Sequence, residues 1–501
     1  MEFLSCVLLL VLTFTLAQAL RSLLSRGKNA KYKLPPGPSP LPIVGNLLAL
    51  GKKPHQSLAK LAQIYGPIMC LKLGQVTTIV VSSAEMAKEV LQTHDQFLSN
   101  RDVPHAVEVF NHEKYSMTFL PVSPQWRDLR KICNTQLFSN KTLDASQDLR
   151  RMKLQELLHD INQSSLISEA VDIGAAAFNT VINLLSNTIF SVDLFESAGS
   201  AGDFKETVTH IMKECGKPNL ADFYPALKKV DPQRINSRNG FYAGKVIDIF
   251  RRLVDQRLKL REVQSAADTH NDMLNTLLNI AQENSQEMDK TKIEHLSLTL
   301  FVAGTDPVTH TLEWAMAELL QNAQAMEKAK QELEQTIGKG KPVEESDIAR
   351  LPYLQAVIKE TLRLHPPVPL LIPRKADENV EICGYTIPKG ARVLVNVWAI
   401  GRNSSSWKDA NVFSPERFLS SEIDVKGRNY ELTPFGSGRR VCPGLLFAMR
   451  MLYLMLGSIL NCFNWRLEDG MSIEDMNMDD NFGLALAKAE PVRIIPEKIS
   501  N

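Results

Sequence analysis

The chain has 501 residues, of which 44% are apolar and 7% aromatic, a composition ordinary for a globular enzyme with a large core. Its formal net charge of +1 argues against nucleic acid as the main partner, because no strong field of one sign surrounds the molecule. The seven cysteines are widely spread and form no Cys-x-x-Cys pair, which argues against a disulfide framework or a zinc knuckle and favours a reducing compartment.

The first predicted element is an apolar segment over residues 3–20, which carries no charge and approaches the ~20 residues that a helix needs to cross a bilayer. A cleaved secretory signal is the alternative, since Ala17-Gln18-Ala19 resembles a cleavage site, but only Glu2 precedes the apolar run, where such a signal has a basic start. We therefore expect one transmembrane helix and its basic flank over residues 1–30, with the rest of the chain in the cytosol. The cations that favour this orientation are Arg21, Arg26, Lys28, Lys31 and Lys33.

Residues 34–42 are rich in proline and predict a stiff, extended spacer between the membrane and the folded part of the chain. Residues 68–82 then predict a β-hairpin, with Gly74-Gln75 near its turn.

Between roughly residues 125 and 365, apolar side chains recur mainly at helical spacing. The longest such run, Ile293 to Ile337, is interrupted in its middle by polar residues and a proline. Glu381 to Asn396 predicts a second hairpin around Pro388-Lys389-Gly390. We find no later stretch apolar enough to span a membrane and no domain linker, so we expect one domain over residues 31–501 that is mainly α with a smaller β portion.

The segment Phe435-Gly436-Ser437-Gly438-Arg439-Arg440-Val441-Cys442-Pro443-Gly444 carries the strongest chemical signal. Its glycines let the backbone approach a bound group closely, and it delivers Cys442 to the start of an apolar helix, Leu445 to Leu460. A thiol at a helix N-terminus beside Arg439 and Arg440 is expected to be stabilised as the thiolate that a metal requires. The alternative role, a small buried apolar residue, suits the other six cysteines better than this one.

This segment resembles the haem-binding loop of the cytochrome P-450 family, whose pattern is Phe-x-x-Gly-x-Arg-x-Cys-x-Gly. Phe435, Gly438, Arg440, Cys442 and Gly444 match every position. The resemblance implies the cytochrome P-450 fold, heme b as cofactor and Cys442 as the axial ligand of its iron.

Other family motifs follow the same order along the chain. By resemblance, Glu360, Arg363 and Arg417 form a buried charge network that supports the haem loop. The residues expected to contact the haem or its propionates are Trp126, Arg130, Arg374, Phe435 and Arg440, and arginine suits that task because its planar fork meets a carboxylate bidentately.

Ala303-Gly304-Thr305-Asp306 resembles the family's oxygen-binding groove, and Thr305 and Asp306 are its catalytic candidates. The family usually has threonine after the acid, whereas this chain has Pro307, which offers neither a hydroxyl nor an N–H. Helical phase turns Thr305 away from the groove, so Asp306 with ordered water is the expected proton route. A tolerated substitution without functional effect is the alternative for Pro307.

The resemblance is closest to plant microsomal members, in particular geraniol and terpenoid hydroxylases. It implies a monooxygenase of the endoplasmic-reticulum membrane that belongs to secondary metabolism and uses O2. Its electrons would come from NADPH through a separate reductase, since this chain has no flavin or nicotinamide motif. Arg127, Lys131 and Arg439 could dock that reductase, or could be solvated cations.

We expect a small lipophilic substrate, most simply a monoterpenoid alcohol such as geraniol hydroxylated at an allylic methyl. Hydroxylation or dealkylation of an aromatic or diterpenoid substrate, a haem-thiolate isomerase or dehydratase, and a non-catalytic haem protein are the alternatives. The expected pocket residues are mostly apolar: Val107, Phe110, Leu298, Ala303, Leu371, Ile372, Phe482 and Leu484.

Overall fold

The computed structural model describes residues 33–194, 201–263, 272–468 and 471–499, so the predicted anchor over residues 1–30 lies outside the described residues. Helices dominate the part that is described, as the sequence predicts, and Ser, Asp or Asn side chains cap several of them. The α-helices are α1 (Pro54–Tyr65), α2 (Ala84–Lys88), α3 (Asp95–Leu98), α4 (Pro124–Ile132), α5 (Asn140–Ala145), α6 (Gln147–Leu166), α7 (Ile173–Phe190), α8 (Ala201–Gly216), α9 (Ile235–Val263), α10 (Met273–Glu283), α11 (Lys290–Gln321), α12 (Ala323–Ile337), α13 (Pro352–Leu364), α14 (Val397–Ile400) and α15 (Leu445–Cys462).

The strands form small sheets at the edges of this helical body. The largest has the order β1-β2-β8-β5-β3, and β4-β12-β9, β6-β7 and β10-β11 make the others. The strands are β1 (Ile68–Leu73), β2 (Val76–Val81), β3 (Asn100–Arg101), β4 (Val171–Asp172), β5 (Arg374–Lys375), β6 (Val380–Ile382), β7 (Tyr385–Ile387), β8 (Arg392–Val395), β9 (Phe463–Leu467), β10 (Asp480–Phe482), β11 (Leu486–Lys488) and β12 (Arg493–Lys498).

One of the two predicted hairpins is confirmed and the other is wrong. Strands β1 and β2 pair antiparallel with Ile68 opposite Val81, and Gly74 turns between them at φ +58°. Strands β7 and β8 do not pair with each other: β7 pairs with β6, and β8 runs parallel to β2. The turn after Pro388 therefore moves the chain from one sheet to another, where β8 gains neighbours on both sides.

Helix α11 is the centre of the molecule and packs against α7, α15 and α13. Asp289 caps its N-terminus by accepting a hydrogen bond of 2.8 Å from the Lys292 N–H, and the helix continues through Pro307. The predicted helical run to Ile337 does break, but at Asn322 and not in its polar middle. Tertiary packing on most sides of α11 offsets the local cost of the proline.

Two described helices, α7 and α15, are long and apolar enough to cross a membrane. Our expectation that no stretch after the N-terminus reaches that threshold is therefore wrong. About two thirds of each (67%) is buried inside the protein, which is the pattern of a core helix.

Candidate active site

The loop before α15 holds Cys442 through its backbone. The Cys442 N–H donates to the Phe435 carbonyl at 2.9 Å, and Phe435 itself packs against the main core. Gly438 has a φ of +68°, and a Cβ there would lie 2.1 Å from the Leu91 carbonyl oxygen. Only glycine fits that position, so the glycine of the motif is needed for the approach of this loop to the segment before α3.

Cys442 is half-buried, and its surroundings differ from the sequence expectation. Burial raises the pKa of the Cys442 thiol, while the Gly444 N–H and the charge of Arg130 act in the opposite direction. Arg439 and Arg440 do not supply the stabilising charge: the Arg439 side chain is exposed, and Arg440 donates to the carbonyls of Ser99, Met117 and Leu120. The helix N-terminus and one arginine thus favour the thiolate, but the protein alone does not impose it.

The other described cysteines have no comparable setting. Burial raises the pKa of Cys133 and Cys215 to about 12 and that of Cys462 to about 11, so these three behave as apolar side chains. No group of three His, Cys, Asp or Glu side chains that could hold a metal occurs among the described residues. A metal at Cys442 would therefore take its remaining ligands from a bound cofactor rather than from protein side chains.

Arginines from distant segments meet beside this loop around a single carboxylate, that of Asp95. Arg374 donates to Asp95 Oδ1 at 2.8 Å and to the Ser437 carbonyl at 3.3 Å, and the Arg439 N–H donates to Asp95 Oδ2 at 2.9 Å. The guanidinium of Arg440 lies 4.6 Å from the ring centroid of Trp126. Asp95, which the sequence reasoning missed, joins α3, β5 and the cysteine loop.

A further arginine, Arg101 in β3, belongs to the same cluster and was also missed. It donates to the carbonyls of Ile372 (2.7 Å) and Thr118 (3.3 Å). Burial, followed by the charges of Arg374 and Arg440, lowers its pKa well below the ordinary value, and Asp95 opposes this only in part. Nothing in the sequence around Arg101 marks it, because its role depends on residues hundreds of positions away.

The cluster holds more cations than one carboxylate can neutralise. Burial lowers the pKa of Arg440 to about 10, with the charges of Arg374 and Arg130 acting in the same direction. Buried charges of one sign require an anionic partner. A group that offers carboxylates beside a metal facing Cys442 fits this donor set, and the haem with its propionates is such a group.

Helix α4 presents different side chains to the arginine cluster and to solvent. Trp126 and Arg130, four residues apart, face the cluster and the cysteine loop, whereas Arg127 and Lys131 are exposed. Ser123 caps the helix by accepting a hydrogen bond of 3.2 Å from the Trp126 N–H, which fixes this phase.

The predicted charge network is present, and its central pair, Glu360 and Arg363, is fully buried. Arg363 donates through Nε (2.6 Å) and Nη2 (2.8 Å) to Glu360, and Arg417 Nε donates to Glu360 Oε1 at 3.0 Å. Arg363 also donates to the carbonyls of Gly401 and Ala410 at 2.5 and 2.6 Å. The network thereby ties α13 to the segment that precedes the cysteine loop.

On α11 the predicted groove residues face different directions. Ala303 is exposed, whereas a Cβ on Gly304 would lie 3.0 Å from Leu185 of α7. Thr305 is completely buried and its hydroxyl donates to the Phe301 carbonyl at 2.8 Å, so its expected direct part in catalysis is not retained. Asp306 is half-buried, and burial raises its pKa, with His310 opposing.

The expected pocket residues lie in different parts of the structure. Phe482 is partly buried and stacks one face of its ring on His55 of α1, with ring centroids 5.5 Å apart. Phe110 reaches α9, where a Cβ on Gly244 would lie 3.2 Å from its ring. Leu298 is part of the buried core of α11.

Of the remaining pocket residues, Leu371 lies near the cysteine loop, and the other two lie elsewhere. Leu371, at φ +48°, approaches Gly436, where a Cβ would lie 3.9 Å from its Cδ1, and the carbonyl of its neighbour Ile372 binds Arg101. Val107 is buried in the short 3₁₀ helix His105–Val107. Leu484 is 38% exposed at the tip between β10 and β11, against the last residue of α8, Gly216.

Comparison with known proteins identifies the family to which the chain belongs. Residues 35–493 match the protein family described as Cytochrome P450. The chain is 53% identical over 500 residues to geraniol 8-hydroxylase of Catharanthus roseus, which covers 100% of both chains, and 52% identical over 495 residues to geraniol 8-hydroxylase of Swertia mussotii, which covers 99% of both. It is also 48% identical over 497 residues to 7-ethoxycoumarin O-deethylase of Helianthus tuberosus, again covering 99% of both chains.

Proposed function

We propose that this chain, which belongs to the cytochrome P450 family and is a monooxygenase, hydroxylates a monoterpenoid alcohol of the geraniol type at an allylic methyl. The observation that carries the substrate class is the identity of 53% to a geraniol 8-hydroxylase over 500 residues. The apolar character of Ala303, Leu371 and Leu484 supports a small lipophilic substrate.

Heme b would be held by Cys442 on its iron and by Arg101, Arg130, Arg374 and Arg440 on its propionates. When bound, it supplies the activation of O2 that lets one oxygen atom enter the substrate. The arginines lose their mutual repulsion as the anionic groups arrive, so cofactor binding also stabilises the fold.

Around the substrate, the chain provides orientation and protons. Ala303 leaves room beside α11, and Leu371 and Leu484 offer apolar contacts that displace water. Asp306 keeps its proton to a higher pH than an ordinary carboxyl group, because burial disfavours its charged form. It can therefore act as a proton donor in the groove.

Electrons would come from NADPH through a separate reductase that docks on the side of the cysteine loop. Arg127, Lys131 and Arg439 are exposed on that side and could meet an acidic surface. Replacing Arg127 and Lys131 together by Gln should raise the reductase concentration needed for half-maximal rate, most clearly at low salt.

We further propose that residues 3–20 anchor the protein in the endoplasmic-reticulum membrane with the catalytic part in the cytosol. Deleting residues 1–30 should move at least part of the protein from the membrane to the soluble fraction. A mature chain that begins near Leu20 and carries a glycan on Asn140 would instead identify a secreted protein.

The substrate proposal is tested with reductase-containing microsomes and a set of candidate compounds. Geraniol and related alcohols should produce a binding spectrum and an NADPH-dependent hydroxylated product. If 7-ethoxycoumarin is converted far faster than every terpenoid alcohol, the chain is an aromatic dealkylase, the second candidate that its 48% identity to a deethylase favours.

Pro307 raises a separate question, because it stands where the family usually has a hydroxyl. Proline leaves the Ala303 carbonyl without its helical N–H partner, and that carbonyl can hold a water in the groove. We expect Pro307→Thr to increase the product formed per NADPH consumed without changing haem content. Equal or poorer coupling would contradict this, and product formation without NADPH would identify an isomerase or dehydratase.

A further inference from the structure

One stripe of α11 carries ionisable side chains that extend away from Ala303. Positions 303, 306, 310 and 313 recur at spacings of three and four, so Asp306, His310 and Glu313 share the side of the helix that starts at the exposed Ala303. The intervening Thr305, Val308 and Leu312 are buried against the core. The acid in the groove is thus the first of a row of titratable groups.

The second member of the row, His310, has an unused ring nitrogen. His310 Nδ1 is buried and has no hydrogen-bond partner among the described residues, and it lies 3.6 Å from Glu313 Oε2. A small rotation of either side chain closes that gap to a hydrogen bond. On its other side, His310 is near enough to Asp306 for its charge to act on that carboxyl.

The third member, Glu313, is 5% exposed and ends the row. Its Oε1 accepts a hydrogen bond of 3.1 Å from the Val492 N–H, and its carboxylate lies against Gly174 in the first turn of α7. The neighbouring Arg493, which pairs with Asp172 in the ladder between β12 and β4, is half-exposed. Glu313 thus ends the row beside the start of β12, where the side chain of Arg493 reaches solvent.

A monooxygenase needs such a path, because it delivers one oxygen atom to the product and reduces the other to water, taking up two electrons and two protons. The electrons arrive from another protein, so the protons must cross this one. Pro307 offers no hydroxyl after Asp306, and the imidazole of His310 lies one turn further along the helix.

We propose that His310 is a proton-carrying residue that resupplies Asp306 along α11, with Glu313 as the group that resupplies His310. The proposal rests on the monooxygenase reaction and adds a residue to it. In each cycle the O–H bond of the Asp306 carboxyl breaks as its proton enters the groove. The N–H bond of protonated His310 then breaks, a new O–H bond forms on Asp306, and His310 regains a proton from Glu313, which takes one from solvent. No electrons move in these steps.

The test follows the Asp306 proton directly. Holoenzyme is prepared with aspartate labelled with ¹³C at its side-chain carboxyl. The infrared band of the Asp306 carboxyl is identified as the one that is missing in Asp306→Asn. The enzyme is then transferred to D2O, and the shift of this band measures the exchange of the Asp306 proton for deuterium. His310→Phe should slow the exchange of that proton by about tenfold or more, in line with the contribution of a positioned acid or base. His310→Gln keeps hydrogen-bonding capacity but has no nitrogen that takes up and releases a proton, so it should slow the exchange similarly.

The matched controls are on the same helix. Thr311→Val removes a hydroxyl that only donates to the Pro307 carbonyl of its own helix, and it should leave the exchange unchanged. Thr309→Val tests the competing route, since the buried Thr309 hydroxyl also has no partner among the described residues. Slower exchange in Thr309→Val, with normal exchange in both His310 variants, would overturn the proposal.

Turnover gives the second readout. With any converted substrate, both His310 variants should divert a larger share of NADPH electrons to peroxide at unchanged haem content, and Glu313→Gln should have a smaller effect in the same direction. Normal coupling in both His310 variants would refute the proposal. The infrared readout needs no substrate, so it remains decisive even if geraniol and its relatives are not converted.

Discussion

The contact between Gly216 and the tip of the β10–β11 loop gives the sharpest prediction about substrate selection. A Cβ on Gly216 would lie 2.5 Å from the Leu484 nitrogen and 2.9 Å from the Gly483 carbonyl carbon. Ordinary contact begins at 3.4 Å, so Gly216→Ala must separate the end of α8 from the loop by 0.9 Å (3.4 minus 2.5). Because both nearest atoms are backbone, no side-chain rotation can relieve the clash.

The loop is the less movable partner. The Leu486 N–H donates to the Pro367 carbonyl at 2.8 Å, and the Leu486 carbonyl accepts from Trp314 Nε1 at 3.1 Å. Trp314 in turn is stacked on His365 at 3.8 Å. We therefore expect α8 to move, and with it the 3₁₀ helix His105–Val107, which α8 contacts and which holds the proposed pocket residue Val107.

Overpacking of this kind costs about 1–3 kcal/mol of unfolding free energy. A displacement of about 1 Å beside the substrate can cost about a hundredfold in rate, so Gly216→Ala should lower kcat/KM for geraniol and alter the ratio of hydroxylated products. Unfolding by denaturant measures the first effect, and product analysis by mass spectrometry measures the second.

The matched control is Gly240→Ala in α9. There the nearest atom to a new Cβ is Val109 Cγ1 at 3.6 Å, an ordinary contact, and alanine favours the helix by about 1 kcal/mol over glycine. Gly240→Ala should be as stable as the parent or more so, with the same products. A Gly216→Ala protein that unfolds at the parent's denaturant concentration and gives the parent's product ratio would refute the reasoning.

Three further predictions concern the site itself. Cys442→Ala should abolish the red-shifted Soret band of the reduced carbon-monoxide complex that a thiolate ligand gives, whereas Cys462→Ala should retain it; retention in both would reassign the ligand. Glu360→Gln should destabilise the protein by about 3–5 kcal/mol, since it leaves buried arginines without their carboxylate, whereas Lys328→Gln, at an exposed pair, should cost less than about 1 kcal/mol; equal denaturation midpoints would refute the role of the network. Because burial raises the pKa of Asp306, product formed per NADPH should fall as pH rises through that raised pKa, and Asp306→Asn should lose this dependence; an identical pH profile in the variant would exclude Asp306 as the donor.

Local chemistry made part of this protein predictable from its sequence. The cysteine loop, the helix after it and the hairpin of β1 and β2 depend on glycine conformation, helix periodicity and strand alternation within short segments. The pair Glu360 and Arg363 is also local, since three residues along a helix place both side chains on one face.

The tertiary structure decided which distant groups meet. Asp95 binds Arg374 across 279 positions, and nothing near either residue marks the contact. The cation that acts on Cys442 is Arg130, and not Arg439 or Arg440, which lie close to the cysteine in sequence. The buried guanidinium of Arg440 instead donates to backbone carbonyls. Strand β8 likewise pairs with β2 and not with β7, its neighbour in sequence.

The same distinction applies to Phe482 and to Pro307. Phe482 has the apolar character of a pocket residue, yet its ring stacks on His55 of α1. Pro307 has the local signature of a helix break, yet α11 continues through it. Sequence sets the conformational preference of each short segment, with energies of a few kcal/mol. Burial against other segments can outweigh such preferences, and it depends on contacts that exist only once the chain has folded.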